Sequence, residues 1–402
     1  MTDDDLILRV AARGDGVTAD GRYIAYAAPG DRLDPAGGLI HGPHHQEPPC
    51  RHFLQCGGCQ LQHIDDDSLS IFVADRVSHA LATQHITAKQ IMPVHLSPVG
   101  TRRRVAVRSA WAGKQFHLGF STEKSHRIVN VGECDVMAPD LFKLLEPLRK
   151  FLSIRVDKQR QVQIKMAIVD QGVDMLIENW TAEDLHNHEA LSEFASEHKL
   201  ARLSLDEGYG PTGFYEPEPV TVTLGNVSVA YPPYGFLQAT ADGEQALVAA
   251  VQSIVGDSNK IADLFAGLGT FALSLGKDRK IYAAEADLEP ITGLKQAAAR
   301  VQRQLFTEHR DLFRRPLSAE ELNKFHSVIL DPPRAGAKEQ VAQLAASAVS
   351  KIAYVSCNPA SFARDARRLI DGGYELNRIW PVGQFRWSSH VEMVSEFIRV
   401  AG

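Results

Sequence analysis

From residue 234 onward, helical and strand-like segments alternate, and this leaves few folds open to the chain: it is the pattern of a parallel α/β sheet. Residues 242–255 read as a helix. Lys260-Ile261-Ala262-Asp263-Leu264-Phe265 reads as a strand running into the turn Ala266-Gly267-Leu268-Gly269-Thr270. A second strand over 280–285 ends on Glu285, and a later one over 327–330 leads into Asp331-Pro332-Pro333-Arg334. The apolar run Ile352-Ala353-Tyr354-Val355 is a short buried strand broken by Ser356-Cys357-Asn358-Pro359. Residues 361–370 then read as a helix with Arg364, Arg367 and Arg368 on its polar side. Open sheets of this kind keep ligands at the carboxyl ends of their strands, where Cys357 falls. A thiol there becomes a thiolate if dipoles or cations lower its pKa. Otherwise a free cysteine is usually a small buried hydrophobe.

The glycine turn narrows the ligand. A nicotinamide site wants G-x-G-x-x-G, and Gly267-x-Gly269 lacks the third glycine. S-adenosylmethionine fits better, because its ribose needs a carboxylate such as Glu285 but it has no pyrophosphate to cradle.

The chain ahead of residue 234 is of another kind. Residues 6–33 alternate around two turn signals, as two or three strands of a small barrel would, and 34–49 is a loop rich in Pro, Gly and His. Cys50-x5-Cys56-Gly57-Gly58-Cys59 follows, a spacing that suits an iron–sulfur cluster or zinc. Cys134 is the one further cysteine before the α/β region, so we expect a closed site of four thiolates. Residues 65–83 read as an amphipathic helix with an acidic first turn. From 94 to 229 strands dominate, at 104–110, 115–120, 161–169, 174–178 and 220–231, with helices at 139–152 and 181–199: an α+β unit. The net charge of −6 does not mark the whole chain as a nucleic-acid binder. Residues 101–127 are locally basic, carrying Arg102, Arg103, Arg104, Arg108, Lys114, Lys124 and Arg127 against Glu123 alone. We expect Arg102, Arg103 and Arg104 to hold RNA phosphates. No apolar run approaches the roughly 20 residues that span a bilayer, and the acidic start lacks the features of a signal peptide. A cytoplasmic protein without a membrane partner is expected.

Taken together, these residues resemble the RNA uracil-5-methyltransferase family, in particular its iron–sulfur branch acting on 23S ribosomal RNA. The matching stretches are CRHFLQCGGCQLQH, the later Cys134, Phe236-Leu237-Gln238, DLFAGLGTF, DPPRAG, SCNPASFARD and HVEMV, from about Cys50 to the end. The resemblance implies a Rossmann-like class I S-adenosylmethionine methyltransferase domain over 230–402 and a central α+β RNA-binding domain over 94–229 that also supplies Cys134. It further implies an iron–sulfur segment and helix over 34–93 and a truncated TRAM-like β segment over 1–33. It makes Cys357 the nucleophile and Glu392 the general base. It assigns Gln238, Phe265, Thr270, Glu285, Asp311 and Asp331 to the cofactor, and a 4Fe-4S cluster to Cys50, Cys56, Cys59 and Cys134. The implied partner is ribosomal RNA offering a single-stranded or flipped uridine to a monomer. Three positions depart from the family pattern: Thr240 and Thr270 stand for asparagines, and Gly383 stands for an aspartate, leaving a gap near the active site.

The chemistry needs this inventory independently. Carbon 5 of uracil is too weak a nucleophile to take a methyl group directly; a thiolate adding to carbon 6 turns the ring into an enolate that can. A carboxylate must then accept the carbon 5 proton before the cysteine leaves. On a strand, His390 and Glu392 share one face. Three other readings compete. Asp331-Pro332-Pro333 is similar to the motif of amino-group methyltransferases, but Arg334 replaces their aromatic residue and they need no cysteine. A transfer-RNA uracil-5-methyltransferase is nearer, and a non-catalytic iron–sulfur RNA-binding protein or redox sensor is the alternative outside enzymes.

Overall fold

The computed structural model describes residues 3–123 and 125–400; Lys124 of the basic stretch and the first two residues of the acidic start lie outside them. Its largest sheet has nine strands. The order runs Leu305–His309, Lys280–Glu285, Lys260–Leu264, Ser327–Leu330, Lys351–Ser356, Glu392–Arg399, Tyr374–Gly383. The first five are mutually parallel. Glu392–Arg399 runs antiparallel to both of its neighbours. Ser327–Leu330 is buried throughout and Lys351–Ser356 nearly so, as strands covered on both faces must be. The order reverses between Lys260–Leu264 and Ser327–Leu330, which opens a crevice at their carboxyl ends. This is the doubly wound architecture that the alternation predicts.

The helix Asp66–Ala82 does not stand apart from this sheet. Asp65 caps it, accepting from the Ser68 N–H, and its stripe of Leu69, Phe72, Val73, Val77 and Leu81 joins one core with Tyr354, Phe362 and Leu369. Gln90–Ile91 and His95–Leu96 then add to the far edge of Tyr374–Gly383. Three short antiparallel strands, Ile7–Val10, Gly16–Thr18 and Tyr23–Ile24, precede them. Among the described residues no helix is long and apolar enough to cross a membrane.

The second sheet has six strands in the order Thr212–Tyr215, Leu200–Asp206, Gly172–Glu178, Gln163–Val169, Arg104–Ala112, Gln115–Gly119. Leu200–Asp206 escaped the sequence reading although Arg202-Leu203-Ser204-Leu205-Asp206 alternates; its polar positions Arg202 and Ser204 are buried along with its apolar ones. It lies parallel to Gly172–Glu178, which the helix Leu185–Glu197 makes possible. The hairpin Thr221–Leu224/Val227–Ala230 leaves this sheet and packs on the α/β unit, Val222 and Val229 sharing a core with Leu268, Ile291 and Leu294.

The arginine run docks the second sheet onto the 237–244 turn. Arg103 donates to the Gln238 carbonyl at 3.0 Å and pairs with Glu244 at 2.6 Å. Arg104 donates to the Leu237 carbonyl at 2.8 Å and covers the rings of Tyr234 and Phe236. Arg102 lies over the Phe385 ring and donates to the Arg104 carbonyl. These contacts occupy two donors of Arg103 and one each of Arg102 and Arg104, a structural role beside the phosphate contacts expected of the run.

A buried ion pair makes the other joint. Arg202 meets Asp174 at 2.7 Å and donates to the Tyr231 carbonyl, while Asp174 also accepts from the Tyr234 N–H. Arg202→Ala strands the Asp174 carboxylate away from water. A loss of about 3–5 kcal/mol in urea unfolding is expected, the scale for breaking one partner of a buried pair; a loss below about 1 kcal/mol contradicts this account of the joint.

Candidate active site

Strand register brings the two predicted reactive groups together. Lys351–Ser356 pairs with Glu392–Arg399 so that Ser356 faces Met393, and the next step along each chain sets Cys357 beside Glu392. Leu330 faces Tyr354 on the other side, which brings Asp331 to the same end of the sheet. The loop carrying Cys357 is tied to the one carrying Asp331: Asn358 Nδ2 and Ser361 Oγ both donate to the Arg334 carbonyl at 2.9 Å. Asn358 caps the helix Pro359–Asp371, accepting from the Ala360 N–H.

These groups hold one another in their protonated forms. Burial, then the charges of Glu392 and Asp331, push the Cys357 thiol up to about 11; Arg334 pulls the other way. The condition for a resting thiolate is therefore not met, first because burial disfavours the charged form and then because two acids oppose the single arginine. Burial and then Asp331 push Glu392 up to about 8, against the Gln384 amide and Arg334. Desolvation, then the Glu285 charge, push Asp331 up to about 7. His390 is lowered, first by burial and then by Arg334, Arg102 and Arg76, so a neutral imidazole stands beside the Phe385 ring.

Three of the predicted cofactor residues, Phe265, Glu285 and Asp331, fall at the carboxyl ends of the neighbouring strands Lys260–Leu264, Lys280–Glu285 and Ser327–Leu330. Phe265 has φ 63°, a left-handed conformation that a bulky side chain rarely adopts outside functional sites, and packs against Phe313. A Cβ at Gly267 meets nothing within 4 Å, so the space above the turn is open, whereas one at Gly269 meets Leu294 at 2.4 Å. Glu285 accepts from the N–H groups of Gly267, Ala286 and Asp287, which orients its carboxylate at the turn. This open turn beside an oriented carboxylate fits an adenosine. Asp311 accepts from the Phe313 N–H behind Phe265. Gln238 is buried. Thr270 is half-buried at the end of the turn, and its carbonyl accepts from Ser274 Oγ.

The other two departures have structural explanations. Thr240 caps the helix Ala241–Val255, accepting from the Gly243 N–H, and pairs with Ser97 Oγ at 2.8 Å. Gly383 leaves no gap: a Cβ there lies 2.6 Å from Leu96 Cδ2, so the edge strand fills the space that an aspartate would take. Sequence reading missed two residues. Asp263 is fully buried, accepts from the Ala272 N–H and is pushed up to about 8 by its burial. Gln384, also buried, donates to Gln238. An aspartate inside an apolar strand was the available signal for the first; nothing marked the second.

The cysteines gather at a distance from this site. Burial raises Cys50, Cys56 and Cys59, the last to about 12, and the Cys134 charge adds to all three. They are neighbours without ligating geometry: among the described residues no group of three or more His, Cys, Asp or Glu is placed to hold a metal ion. Three desolvated thiols close enough to Cys134 to be raised by its charge nevertheless have the chemistry to surround a cationic centre. The cysteine segment also touches the loop leading to Glu392, since the N–H groups of Gln60 and Leu61 both donate to the Trp387 carbonyl, at 2.7 and 3.0 Å.

The family profile described as tRNA (Uracil-5-)-methyltransferase matches residues 294–398. An RNA methyltransferase of Zymomonas mobilis is 49% identical over 394 residues, covering 98% of this chain and 99% of its own. The 23S rRNA (uracil(1939)-C(5))-methyltransferase RlmD of Erwinia tasmaniensis is 29% identical, covering 89% and 83%. Among solved structures, the Pyrococcus abyssi tRNA (uracil-54, C5)-methyltransferase with S-adenosyl-L-homocysteine superposes with a TM-score of 0.75, covering 98% of each chain at 22% identity.

The raised acids carry a stability signature. Asp263, Asp331 and Glu392 titrate near 8, 7 and 8, against about 4 in an unfolded chain. Their contribution is complete below the unfolded value and is lost as pH rises through the folded ones. The urea midpoint of the free protein is expected to fall as pH climbs from about 4 to 8 and to level off above that, and Asp331→Asn with Glu392→Gln to flatten that fall. An equally steep fall in the double variant contradicts the assignment.

Proposed function

From the premise that the chain belongs to the RNA uracil-5-methyltransferase family and is an RNA methyltransferase, we propose that it methylates carbon 5 of a uridine in 23S ribosomal RNA. S-adenosylmethionine is the donor, Cys357 the nucleophile and Glu392 the base. The observation that carries this reading is the register that sets the cysteine beside the carboxyl group at the ligand-binding end of the sheet. Phe265, Thr270, Glu285, Asp311, Asp331 and Gln238 would hold the cofactor, which when bound supplies a methyl group on a cationic sulfonium. That charge favours the ionised forms of the acids beside it.

Cys357 releases its proton to solvent water and adds to carbon 6, and the ring electrons move onto the carbon 4 oxygen as an enolate. Once carbon 5 is methylated, the Glu392 carboxylate takes its proton. The electrons return to the ring and expel the thiolate. The buried setting of Glu392 suits this task, since a base raised toward 8 holds its proton at working pH. The ribosomal substrate is supported by the Erwinia relative; methyl mapping of ribosomal RNA from a deletion strain tests it. Within this reading residues 94–229 form the RNA-facing domain, and the strands within 1–33 the start of a TRAM-like barrel.

The mechanism separates two variants by the step at which each fails. Cys357→Ala is expected to bind RNA and cofactor yet transfer no methyl. Glu392→Gln is expected to accumulate a methylated RNA–protein adduct that survives denaturing electrophoresis. Radiolabelled methyl donor with a ribosomal RNA fragment decides both. A methylated crosslink in Cys357→Ala refutes the nucleophile, and full turnover by Glu392→Gln refutes the base.

Cys50, Cys56, Cys59 and Cys134 are read as the ligands of a closed 4Fe-4S cluster, supported by their spacing and by the approach of all three N-terminal thiols to Cys134. Anaerobically purified protein should be brown, with iron and sulfide in near-equal amounts. Colourless protein holding zinc alone would exclude iron–sulfur while keeping the ligand set.

A further inference from the structure

Gln384 is 1% exposed and lies between the two halves of the site. Its Oε1 accepts from the Ala239 N–H at 3.0 Å, and its Nε2 donates to Gln238 Oε1 at 2.8 Å. A backbone N–H can only donate, so Oε1 must face Ala239 and the amide cannot be flipped. The nitrogen has a second hydrogen, and Glu392 is close enough for this amide to lower its pKa. The partnership has a further effect on Gln238. With its oxygen accepting from Gln384, Gln238 has its orientation fixed and its own NH2 left as the donor end. One close contact keeps Gln384 in place, and a hydrogen bond farther along steadies its loop. A Cβ at Gly243 lies only 2.7 Å from Gln384 Cβ, so the first turn of the helix Ala241–Val255 packs directly on it. On the far side of the loop, the Ser389 N–H donates to Gln60 Oε1 at 3.3 Å.

We propose that Gln384 is a positioning residue that sets the donor end of Gln238 toward the cofactor and aims the Glu392 carboxylate at the carbon 5 proton, so that one buried amide serves both cofactor seating and product release. This rests on the reading of Cys357, Glu392 and Gln238 given above.

The test uses the full chain, S-adenosylmethionine and a ribosomal RNA fragment. Gln384→Met keeps the volume and removes every hydrogen bond. Gln384→Glu keeps an acceptor for Ala239 but has at most one proton to give, so it cannot serve both Gln238 and Glu392. It decides the question should the methionine variant fail to fold. Both variants are expected to bind the cofactor about tenfold more weakly by calorimetry, the scale of one lost hydrogen bond. Both should also accumulate methylated RNA–protein adduct. The acid limb of adduct release should move to higher pH in Gln384→Met, because the carboxylate loses a donor that favoured its charged form. Wild-type cofactor affinity and prompt release in either folded variant overturn the proposal. So does a uniform loss of rate with an unmoved pH limb, which is what a merely structural residue gives. If the unaltered protein transfers no methyl group to the RNA, the catalytic reading fails instead, and the calorimetric comparison still judges the Gln238 half of the inference.

Discussion

One strand governs the catalytic end of this protein. Glu392–Arg399 inserts antiparallel between Lys351–Ser356 and Tyr374–Gly383. The start of this strand therefore lies beside the end of Lys351–Ser356, so a carboxyl group at its first residue meets the thiol just past its neighbour's last. A parallel insertion would place Glu392 at the opposite edge of the sheet. A one-residue slip would turn its side chain to the other face. The 384–391 loop must then arrive at the right height, and the Trp387 carbonyl, held by Gln60 and Leu61, fixes where it turns. Trp387 itself is buried at φ 58°, a left-handed conformation sustained by the packing around it.

The same convergence explains the electrostatics. The carboxyl ends of the parallel strands and the start of the antiparallel one set Asp263 and Glu392 each within the field of Asp331, and Arg334 is the cation that bears on both Cys357 and Glu392. In the free protein the balance favours neutral acids and a neutral thiol. A cationic ligand in the crevice reverses that preference, which ties thiol reactivity to occupancy of the neighbouring site. A cysteine kept protonated until then is also protected from adventitious oxidation, since the thiolate is the reactive form.

The second sheet is joined by directed polar contacts as well as apolar area. Arg103, Arg104 and Arg202 each donate to main-chain carbonyls of the 231–238 segment, which ends in Gln238. A guanidinium fork holding a carbonyl and a carboxylate at once restricts orientation more than an apolar contact does. The sheet that lies outside the α/β unit thus sets the height of a residue predicted to meet the cofactor.

Much of the α/β unit was legible in the chain. Helix and strand periods are local properties, so the turn at Gly267, the carboxyl-end placement of Cys357 and the helix over Asp66–Ala82 could all be read in order. The strand Leu200–Asp206 was passed over although Arg202 to Asp206 alternates, and only the fold shows why its polar side is buried, with Arg202 on Asp174. The arginine run is a related case: charge density along a sequence does not say which arginines also find a partner in the fold. Gly383 looked like a missing side chain until Leu96, nearly three hundred residues earlier, was found in its place. By itself, then, the sequence determined which residues could do chemistry and on what elements they sit. Only the tertiary structure decided which of them meet, that the thiol and carboxyls raise rather than lower one another's pKa, and that Gln384 joins the two halves of the site. Those are properties of distance and solvent exclusion, and neither exists until strands far apart in the chain are paired.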